Sequence, residues 1–283
     1  MSLHISVITA VFNRAATIGE ALRSVHEQTW PTVEHIVIDA GSTDGTLSVL
    51  KQHQSQIAKL VSEPDNGVYD ALNKGIARAS GDVVGFMHAD DVFASSRSLE
   101  KVAAAFDDPS VEAVYGDLVY VKKHDATRVV RYWRAGQYQR DQLAHGWMPP
   151  HPTFYVRRSV YERFGAFDTR YRIAADYENM LRILWGGGVR TAYVPEVLVR
   201  MRSGGISNKS LRNVVHKSYE DFSALRQNGI GALQALLLKN VTKLPQFIVR
   251  ETRQAFTVPE IPAAGVFRLE ADPCRSPNTL STF

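Results

Sequence analysis

Short apolar runs alternate with helix-like segments through the first part of the chain. The runs at residues 4–10, 35–39, 58–62 and the first half of 82–91 are rich in aliphatic residues and have the length of buried strands. Between them, apolar residues recur at helical spacing, most clearly at residues 68–79. This alternation predicts an α/β fold in which helices cover a parallel sheet.

Polar residues follow each of the four runs. Residues 9–13, Asp39, residues 63–66, Asp90 and Asp91 lie where the strands are predicted to end. Right-handed crossovers bring the carboxyl ends of parallel strands to one edge of the sheet, which is where α/β folds bind ligands. We therefore expect a binding site at this edge.

The pair Asp90 and Asp91 allows two interpretations. Adjacent carboxylates at a strand end repel each other unless water or a cation neutralises them, and hard cations such as Mg²⁺ prefer oxygen ligands. The two residues can instead begin a turn and cap a helix predicted at residues 96–106. The pattern alone leaves both interpretations open.

A dense polar motif occupies residues 63–75. Asp70, Asn73 and Lys74 are spaced so that they share one face of the predicted helix. Lys74 offers a point charge for a phosphate, and Asn73 offers a donor and an acceptor. A helix cap formed by Asp65 or Asn66 and a surface ion pair between Asp70 and Lys74 are the structural alternatives.

Asp39 ends the second run just before a Gly-Ser-Thr turn. A carboxylate in this position can accept hydrogen bonds from the ribose or base of a nucleotide, and it can also bond to its own turn. The chain contains no G-x-G-x-x-G and no G-x-x-x-x-G-K-[ST] motif. The sequence therefore supports neither a dinucleotide fingerprint nor a P-loop.

After residue 110 the periodicity changes. Three prolines around His151 require an ordered loop. Residues 111–121 and 128–133 are predicted to form the two strands of a hairpin. Helices are predicted at residues 158–164 and 175–185, and one or two closing strands at residues 189–201. The second half is therefore predicted to depart from simple strand–helix alternation.

The composition is that of a globular protein. Of 283 residues, 45% are hydrophobic and 22% are charged, which suits one large domain with a substantial core. The one cysteine, Cys274, excludes an internal disulfide and suits a reducing compartment. The first residues lack a signal-peptide pattern, and no run reaches the ~20 apolar residues of a membrane span. We therefore expect a cytoplasmic protein.

The net charge of +4 is unevenly distributed along the chain. Residues 200–253 contain ten Lys or Arg against three Asp or Glu, and within them residues 232–244 have an apolar face that excludes Lys239 and Lys243. Such a segment suits an anionic membrane surface, a nucleic acid or an acidic partner, and a solvated helix face is the alternative. From residue 258 onward no periodicity remains, which predicts a loosely ordered tail.

Four motifs along the chain resemble those of one known family. They read SVITAVFNRAATIGEALRSV, VIDAGSTDGT, SEPDNGVYDALNKGIARASGD and HADD, in that order. In sequence and spacing they resemble the family 2 inverting glycosyltransferases of the GT-A fold, over residues 4–207. The resemblance implies a Rossmann-like, mostly parallel sheet flanked by helices, with a helical and basic C-terminal extension.

The resemblance also implies a set of nucleotide-binding residues. In the family, residues after the first strand and the acid that ends the second strand hold the nucleotide. We expect residues of the polar motif at 63–75 and of the segment before Asp90 to bind it as well. The corresponding positions are Thr9, Ala10, Phe12, Asn13, Asp39, Asp65, Asn73, Lys74, His88 and Ala89.

The family's acidic metal motif, often Asp-x-Asp, matches His88-Ala89-Asp90, so a histidine replaces the first carboxylate. The resemblance implies that Asp90 and Asp91 hold Mg²⁺ or Mn²⁺. We expect His88 to donate to the nucleotide diphosphate rather than to bind the metal.

The family's catalytic base usually lies in a Glu-Asp pair at the start of a helix, and the matching pair here is Ala175-Asp176. Asp176 would take the proton of the acceptor hydroxyl in a single displacement, while the metal stabilises the departing nucleoside diphosphate. An N-cap role alone also explains an Asp at this position.

Two further segments match the family. The segment around His151 resembles one that lies beside the acceptor, and the segment around Arg202 and Ser203 resembles a loop that closes near the donor phosphates. We expect these three residues to contact the acceptor or the diphosphate. The alternatives are a histidine that orders the proline loop and an ordinary glycine-rich connector.

The predicted domain organisation follows the extent of the resemblance. A GT-A catalytic domain would cover residues 1–207, with a nucleotide-binding half up to residue 110 and an acceptor half at residues 111–207. A helical extension would follow at residues 208–257, and the tail would occupy residues 258–283.

The predicted function is metal-dependent transfer of a sugar from a UDP-sugar to a hydroxyl of a glycan or lipid-linked saccharide in cell-surface polysaccharide synthesis. The C-terminal helices resemble those of bacterial members that use lipid-linked carriers, so we expect peripheral association with the inner face of the membrane and no nucleic-acid partner. Packing on the catalytic domain and a homodimer contact are the alternatives for these helices.

Two other functions compete with this prediction. A nucleotidyltransferase that makes sugar nucleotides would show a glycine cluster after the first strand, and residues 11–16 contain none. A non-catalytic carbohydrate- or nucleotide-binding protein with a degenerate site is suggested by His88 and Ala175, which stand where the family has acids.

Overall fold

The computed structural model of the protein describes residues 2–204 and 211–231. The strands in these ranges are β1 (Ile5–Val11), β2 (Val33–Asp39), β3 (Lys59–Ser62), β4 (Val83–Phe86), β5 (Val92–Phe93), β6 (Ala113–Lys122), β7 (Asp125–Trp133), β8 (Tyr155–Arg157) and β9 (Thr191–Arg202). The helices are α1 (Ile18–His26), α2 (Thr46–Gln52), α3 (Val68–Ile76), α4 (Ser98–Ala105), α5 (Arg140–Ala144), α6 (Arg158–Phe164), α7 (Ala175–Leu181) and α8 (Leu211–Gln227). A wider, π-type turn at Arg182–Gly186 extends α7.

All nine strands form one sheet. Its order is β3-β2-β1-β4-β8-β6-β9-β5, and β7 pairs with β6 outside this path. Strands β1 to β4 are parallel, which confirms the sheet predicted for the first part of the chain. Beyond β4 the sheet is mixed, because β8 runs antiparallel to β4 and β6 while β9 runs parallel to β6. The α/β fold class is thereby confirmed.

Two short strands were not predicted. Strand β5 follows the acidic turn and pairs antiparallel with β9, and β8 inserts between β4 and β6. Strands of two or three residues are too short to show alternation, so their form comes from the neighbours that they pair with. The predicted hairpin is present as β6 and β7, and the closing segment forms a single strand, β9.

Both faces of the parallel part of the sheet are covered. Ile8 and Ile36 belong to the hydrophobic cluster on one face, and Val7 and Val37 belong to the cluster on the other. Helix α3 lies so close to β1 that a Cβ atom on Gly75 would come within 2.4 Å of the Ile8 side chain. Glycine at this position therefore allows the polar start of α3 to reach the edge where β1 ends.

Helix α8 packs on the same body as α7. Ala224 and Leu225 of α8 and Ile230 after it are buried in the cluster that also holds Leu181. Across the described residues, no helix combines the length and the apolar character that crossing a membrane requires. The helix predicted at residues 232–244, with Lys239 and Lys243, and the predicted tail lie outside the described residues, and the boundary at residue 207 stays a prediction.

Candidate active site

The loop after β1 is held in an unusual backbone conformation at Asn13. Its φ angle of 51° lies in the left-handed region, which asparagine tolerates better than most residues. The Asn13 amide donates to Ser42 Oγ (2.9 Å), and its Oδ1 accepts from the Thr43 amide (2.9 Å). The neighbouring Phe12 ring is 55% exposed, so it is open to a planar ligand.

Asp39 is fully buried at the end of β2. Its Oδ2 accepts hydrogen bonds from the Ser42 amide (3.1 Å) and from Ser62 Oγ (2.6 Å). The carboxylate therefore joins the turn after β2 to the end of β3. The local turn role and a place at the predicted nucleotide edge are both compatible with these contacts.

Thr9 and Ala10 differ from these neighbours because they lie inside β1. The Thr9 side chain is buried, and its hydroxyl lies 3.0 Å from His35 Nε2. Ala10 is half-buried. The Thr9 hydroxyl is thus occupied within the sheet, whereas Phe12 and Asn13 stand in the loop.

The start of α3 is shaped by its acidic residues. Asp65 Oδ1 accepts from the Gly67 amide (2.8 Å), which supports the turn before the helix. Lys74 Nζ lies 3.0 Å from Glu63 and 3.7 Å from Asp70, and the hydrogen bond with Glu63 raises the pKa of Lys74. The predicted surface ion pair is therefore present, and Lys74 stays charged at neutral pH.

Asn73 of α3 joins the two halves of the site. Its Nδ2 donates to the Phe167 carbonyl (2.8 Å), and its Oδ1 accepts from the Phe167 amide (2.9 Å). Both ends of the Asn73 amide are thereby engaged by the loop before α7. In this arrangement Asn73 orders that loop.

The acidic turn follows β4, at residues 88–91. The Asp91 amide donates to the His88 carbonyl (3.1 Å), and Thr17 Oγ1 donates to the Ala89 carbonyl (3.0 Å). The turn presents Asp90 half-exposed and Asp91 buried. Within the described residues, the two carboxylates therefore have different environments.

Asp91 is held by the end of β9. Its Oδ1 accepts from the Arg202 amide (2.9 Å), while its buried Oδ2 has no hydrogen-bond partner within the described residues. Burial and the charge of Asp90 raise the pKa of Asp91 well above its usual range, and Arg202 opposes this rise. The Asp91 carboxylate is thus short of positive partners.

Arg202 links three parts of the chain. Its guanidinium donates to the Asp90 carbonyl (2.7 Å) and pairs with Glu20 of α1, and the side chain is only 8% exposed. Next to it, the Ser203 amide donates to the Val121 carbonyl (2.9 Å). Arg202 therefore supports the acidic turn from inside the protein.

Two histidines lie beside the acidic turn. His151 stacks on Phe86 with ring centroids 5.3 Å apart, and its ring lies 5.9 Å from that of His88. Burial lowers the pKa of His151 to about 4, and burial also lowers the pKa of His88, while Asp176 opposes both shifts. Both rings are neutral at pH 7. His151 Nε2 has no hydrogen-bond partner in the part of the chain that is described.

Asp176 lies in the first turn of α7. Its Oδ1 is 3.1 Å from the Tyr69 hydroxyl and accepts from the Tyr177 amide (2.9 Å). The same Tyr69 hydroxyl lies 2.8 Å from the Ile173 carbonyl. Asp176 is the second residue of the helix, so the N-cap alternative is wrong: Ala174 occupies that position and no described side chain caps the helix. A tyrosine from α3 contacts one oxygen of Asp176.

The chain by itself offers few ligands for a metal ion. Among residues 2–204 and 211–231, no group of three or more His, Cys, Asp or Glu side chains is placed to hold one. Asp90 can supply a half-exposed carboxylate, and Asp91 has one oxygen without a partner. A cation here would therefore need further oxygen ligands from a bound molecule.

The sequence interpretation did not assign a role to three residues near the site. Tyr69 lies inside the polar motif of α3, which is the one signal that could have drawn attention to it. Tyr120 of β6 has its pKa raised by burial and, to a smaller extent, by the charges of Asp91 and Asp176. Glu220 of α8 contacts the chain just before Asp176, and no sequence pattern marks it.

Comparison with known proteins gives a consistent picture. Residues 6–165 match the family model described as Glycosyl transferase family 2. A "PGL/p-HBAD biosynthesis glycosyltransferase" of Mycobacterium bovis is 30% identical over 209 residues, covering 72% of this chain and 78% of the relative. An uncharacterized glycosyltransferase of Mycobacterium tuberculosis is 34% identical over 180 residues, covering 63% and 68%.

Solved structures share the fold. The mannosyltransferase PcManGT of Pyrobaculum calidifontis, in complex with GDP-Man and Mn²⁺, has a TM-score of 0.63 at 21% identity and covers 87% of this chain and 73% of its own. TarS of S. aureus, in complex with UDP-GlcNAc, has a TM-score of 0.59 at 16% identity and covers 84% and 70%. Together with the family match over residues 6–165, these likenesses establish that the chain belongs to glycosyl transferase family 2, adopts the GT-A fold and is a glycosyltransferase.

Proposed function

We propose that the protein is an inverting glycosyltransferase that moves a sugar from a UDP-sugar to a hydroxyl of a glycan or lipid-linked saccharide in cell-surface polysaccharide synthesis. The observation that carries the proposal is that two acids from distant parts of the chain act on one half-buried histidine, whose ring lies 5.9 Å from that of His151. Asp90 and Asp176 each act on the charge of His88, against the effect of its burial. One acid can then serve the leaving group and the other the acceptor.

The donor would bind along the carboxyl edge of β1 to β4. The exposed Phe12 ring suits a nucleobase, and Asp39 lies at the strand end where an acid can accept from a ribose. The charged Lys74 and the neutral His88 would face the diphosphate. PcManGT and TarS are described with GDP-Man, UDP or UDP-GlcNAc, which supports a nucleotide sugar as donor.

A divalent cation, Mg²⁺ or Mn²⁺, would bind at Asp90. The half-exposed carboxylate and the unpartnered oxygen of Asp91 fit a hard cation, and the donor diphosphate would supply the remaining oxygens. When bound, the cation would neutralise charge on the departing nucleoside diphosphate. The Mn²⁺ in the PcManGT complex is consistent with this choice.

Asp176 would act as the base. It accepts the proton of the acceptor hydroxyl while the acceptor oxygen bonds to the anomeric carbon and the bond from that carbon to the diphosphate oxygen breaks. Tyr69 holds one Asp176 oxygen, which leaves the other to face the acceptor. The single in-line displacement inverts the configuration at the anomeric carbon.

Three further residues complete the proposed site. His151 would meet the acceptor as a neutral ring, because its pKa is lowered to about 4. Arg202 and Ser203 would act on the diphosphate through the acidic turn, since the Arg202 guanidinium is already engaged there. The acceptor's lipid carrier, the membrane-surface location and a homodimer belong to the same proposal.

A donor screen followed by product analysis tests the proposal. UDP-sugars with Mn²⁺ should raise the melting temperature more than GDP-sugars do, because a ligand that binds the folded state stabilises it. Proton NMR should then show that the sugar released by slow donor hydrolysis, or transferred to a saccharide, has the opposite anomeric configuration to the donor. Retention of configuration, or exchange of pyrophosphate with a nucleoside triphosphate, would overturn it.

A further inference from the structure

Glu220 of α8 accepts three consecutive main-chain hydrogen bonds. Its Oε1 lies 2.8 Å from the Arg172 amide, and its Oε2 lies 2.9 Å from the Ile173 amide and 2.8 Å from the Ala174 amide. The side chain is only 5% exposed. A buried carboxylate that receives three amides is strongly fixed, because hydrogen bonds to a charged acceptor are shorter and stronger than neutral ones.

These amides lie immediately before the helix that carries the proposed base. Helix α7 begins at Ala175, and Asp176 is in its first turn. The amino end of a helix has unpaired amides and a partial positive charge, so an anion beside it is favourable. Glu220 therefore sets where α7 begins and how its first turn is oriented.

The same loop reaches Asp176 by a second route. The Ile173 carbonyl lies 2.8 Å from the Tyr69 hydroxyl, which also contacts Asp176 Oδ1. Glu220 fixes the amide of Ile173 while Tyr69 contacts the carbonyl of that residue. A shift of this peptide would move the Tyr69 hydroxyl away from Asp176.

Helix α8 is anchored at residues that follow Glu220. The Tyr171 hydroxyl donates to Gln227 Oε1 (2.8 Å), and Ala224 is buried in the cluster that contains α7 residues. Glu220 is thus presented by a helix that packs firmly on α7. The family match ends at residue 165, before either helix.

We propose that Glu220 is a positioning residue that holds Asp176 in its catalytic orientation, which makes α8 part of the active site. The proposal rests on Asp176 being the base of the proposed reaction. Without Glu220, the loop before α7 would relax and the base would lose its alignment with the acceptor hydroxyl. Small misplacements of this kind cost up to ~100-fold in rate.

The first test compares Glu220→Gln with Leu225→Val in the full chain, by hydrolysis of a UDP-hexose with Mn²⁺. Glu220→Gln keeps the size of the side chain but replaces one acceptor oxygen by a donor, so kcat should fall at least about tenfold while KM for the donor changes less than about twofold. Leu225→Val removes one buried methylene from the same helix, so it should lower Tm and leave kcat unchanged. Glu220→Asp should restore part of kcat.

A second readout does not depend on activity. Hydrogen exchange of the amides in residues 171–177 should quicken in Glu220→Gln and not in Leu225→Val, because the variant releases these amides from their acceptor. Equal exchange in both variants would overturn the proposal. So would a Glu220→Gln variant with full kcat.

A double-mutant cycle separates this proposal from the proposed function. In an Asp176→Asn background, Glu220→Gln should have no further effect on the residual rate, because Glu220 acts through Asp176. If Asp176→Asn keeps full activity, the proposed function fails, whatever Glu220 does. If Asp176→Asn is inactive and Glu220→Gln lowers kcat equally with and without Asp176, the positioning role fails and the proposed function stands.

Discussion

The two halves of the site are built in different ways. On the side proposed to bind the nucleotide, the loops after β1 to β3 are held by turns and by bonds between adjacent strand ends. Asp65 accepts from the Gly67 amide, and the Asn13 amide donates to Ser42 Oγ, 29 residues away. On the catalytic side, Asp176 is fixed by Tyr69, 107 residues away, and Arg202 reaches a residue 182 positions earlier. The nucleotide side therefore depends on turns and on neighbouring strand ends, whereas the proposed catalytic side depends on elements 107 and 182 residues apart in the chain.

The two sides also differ in how their charges are placed. Lys74 and its acidic partners lie at the surface, where an ion pair contributes little to stability. Asp91 and Arg202 are buried, and the hydrogen bond between them stabilises the acidic turn. Changes on the catalytic side should therefore affect both activity and stability, and changes on the nucleotide side should mainly affect binding.

The largest effect is expected for Asp176→Asn. Asparagine keeps the shape but cannot accept the acceptor proton, so kcat should fall by roughly 10³-fold. Steady-state transfer or donor hydrolysis with Mn²⁺ measures the loss. The exposed Asp107→Asn is the matched control and should keep the wild-type rate. Unchanged turnover in Asp176→Asn would falsify the assignment of the base.

The buried His35 of β2 gives the folded protein a pH-dependent stability. Burial, together with the charge of His26, lowers the pKa of His35 from 6.5 to about 3, so the folded protein keeps this ring neutral. Below pH 6.5 the His35 imidazole is protonated in the unfolded chain but stays neutral in the folded chain. The free energy of unfolding should therefore fall with decreasing pH, by up to about 1.4 kcal/mol per pH unit between pH 6.5 and 3.

Urea unfolding of wild type and His35→Gln at pH 7.5 and 5.0 measures this effect. Glutamine cannot take up the proton, so the variant should lose less stability than wild type on acidification. The exposed His145→Gln is the control and should follow wild type. Parallel losses in wild type and His35→Gln would show that His35 does not carry the pH dependence.

Arg202→Met and Lys74→Met compare how much each side of the site contributes to the free energy of unfolding. Methionine keeps most of the aliphatic volume and removes the charge. Arg202→Met should lower the free energy of unfolding by about 2 kcal/mol, because it leaves the acidic turn without its buried donors. Lys74→Met should lower the free energy of unfolding much less, because surface ion pairs are screened by solvent. Equal costs in urea unfolding would remove the distinction between the two sides.

Tyr69→Phe should give the smallest of these effects on the rate. Losing the hydroxyl frees one oxygen of Asp176, and a hydrogen bond to a charged group corresponds to about a tenfold change in kcat. KM for the donor should stay the same. Tyr138→Phe removes a hydroxyl that donates to the Leu184 carbonyl (3.0 Å), and it is the control that should keep its kcat. A wild-type kcat in Tyr69→Phe would mean that this contact does not orient the base.

The difference between the two sides explains how much could be predicted from sequence. The parallel sheet, the turn at Asp39 and the start of α3 were predicted because alternation and turn residues are local signals. The acidic turn was also located, since it follows an apolar run directly. These features depend on residues that are close to one another in the sequence.

The rest depended on tertiary contacts that no local pattern records. Three sets of contacts join residues that are far apart in the chain. Arg202 pairs with Glu20, the Asn73 amide bonds to the main chain of Phe167, and Glu220 accepts from three amides before α7. The short strands β5 and β8 gain their form from their partners in the same way. A single sequence therefore indicated the acids of the site but not the residues that hold them.

Nucleotide binding by two variants tests most directly whether Asp90 binds the metal and Asp176 acts separately as the base. Titration calorimetry of UDP, with and without Mn²⁺, should give Asp176→Asn the wild-type affinity, because the proposed base acts on the acceptor and not on the nucleotide. Asp90→Asn should lose the increase in affinity that Mn²⁺ produces, because the cation loses its half-exposed carboxylate. Equal weakening in both variants, or an undiminished effect of Mn²⁺ in Asp90→Asn, would contradict the account.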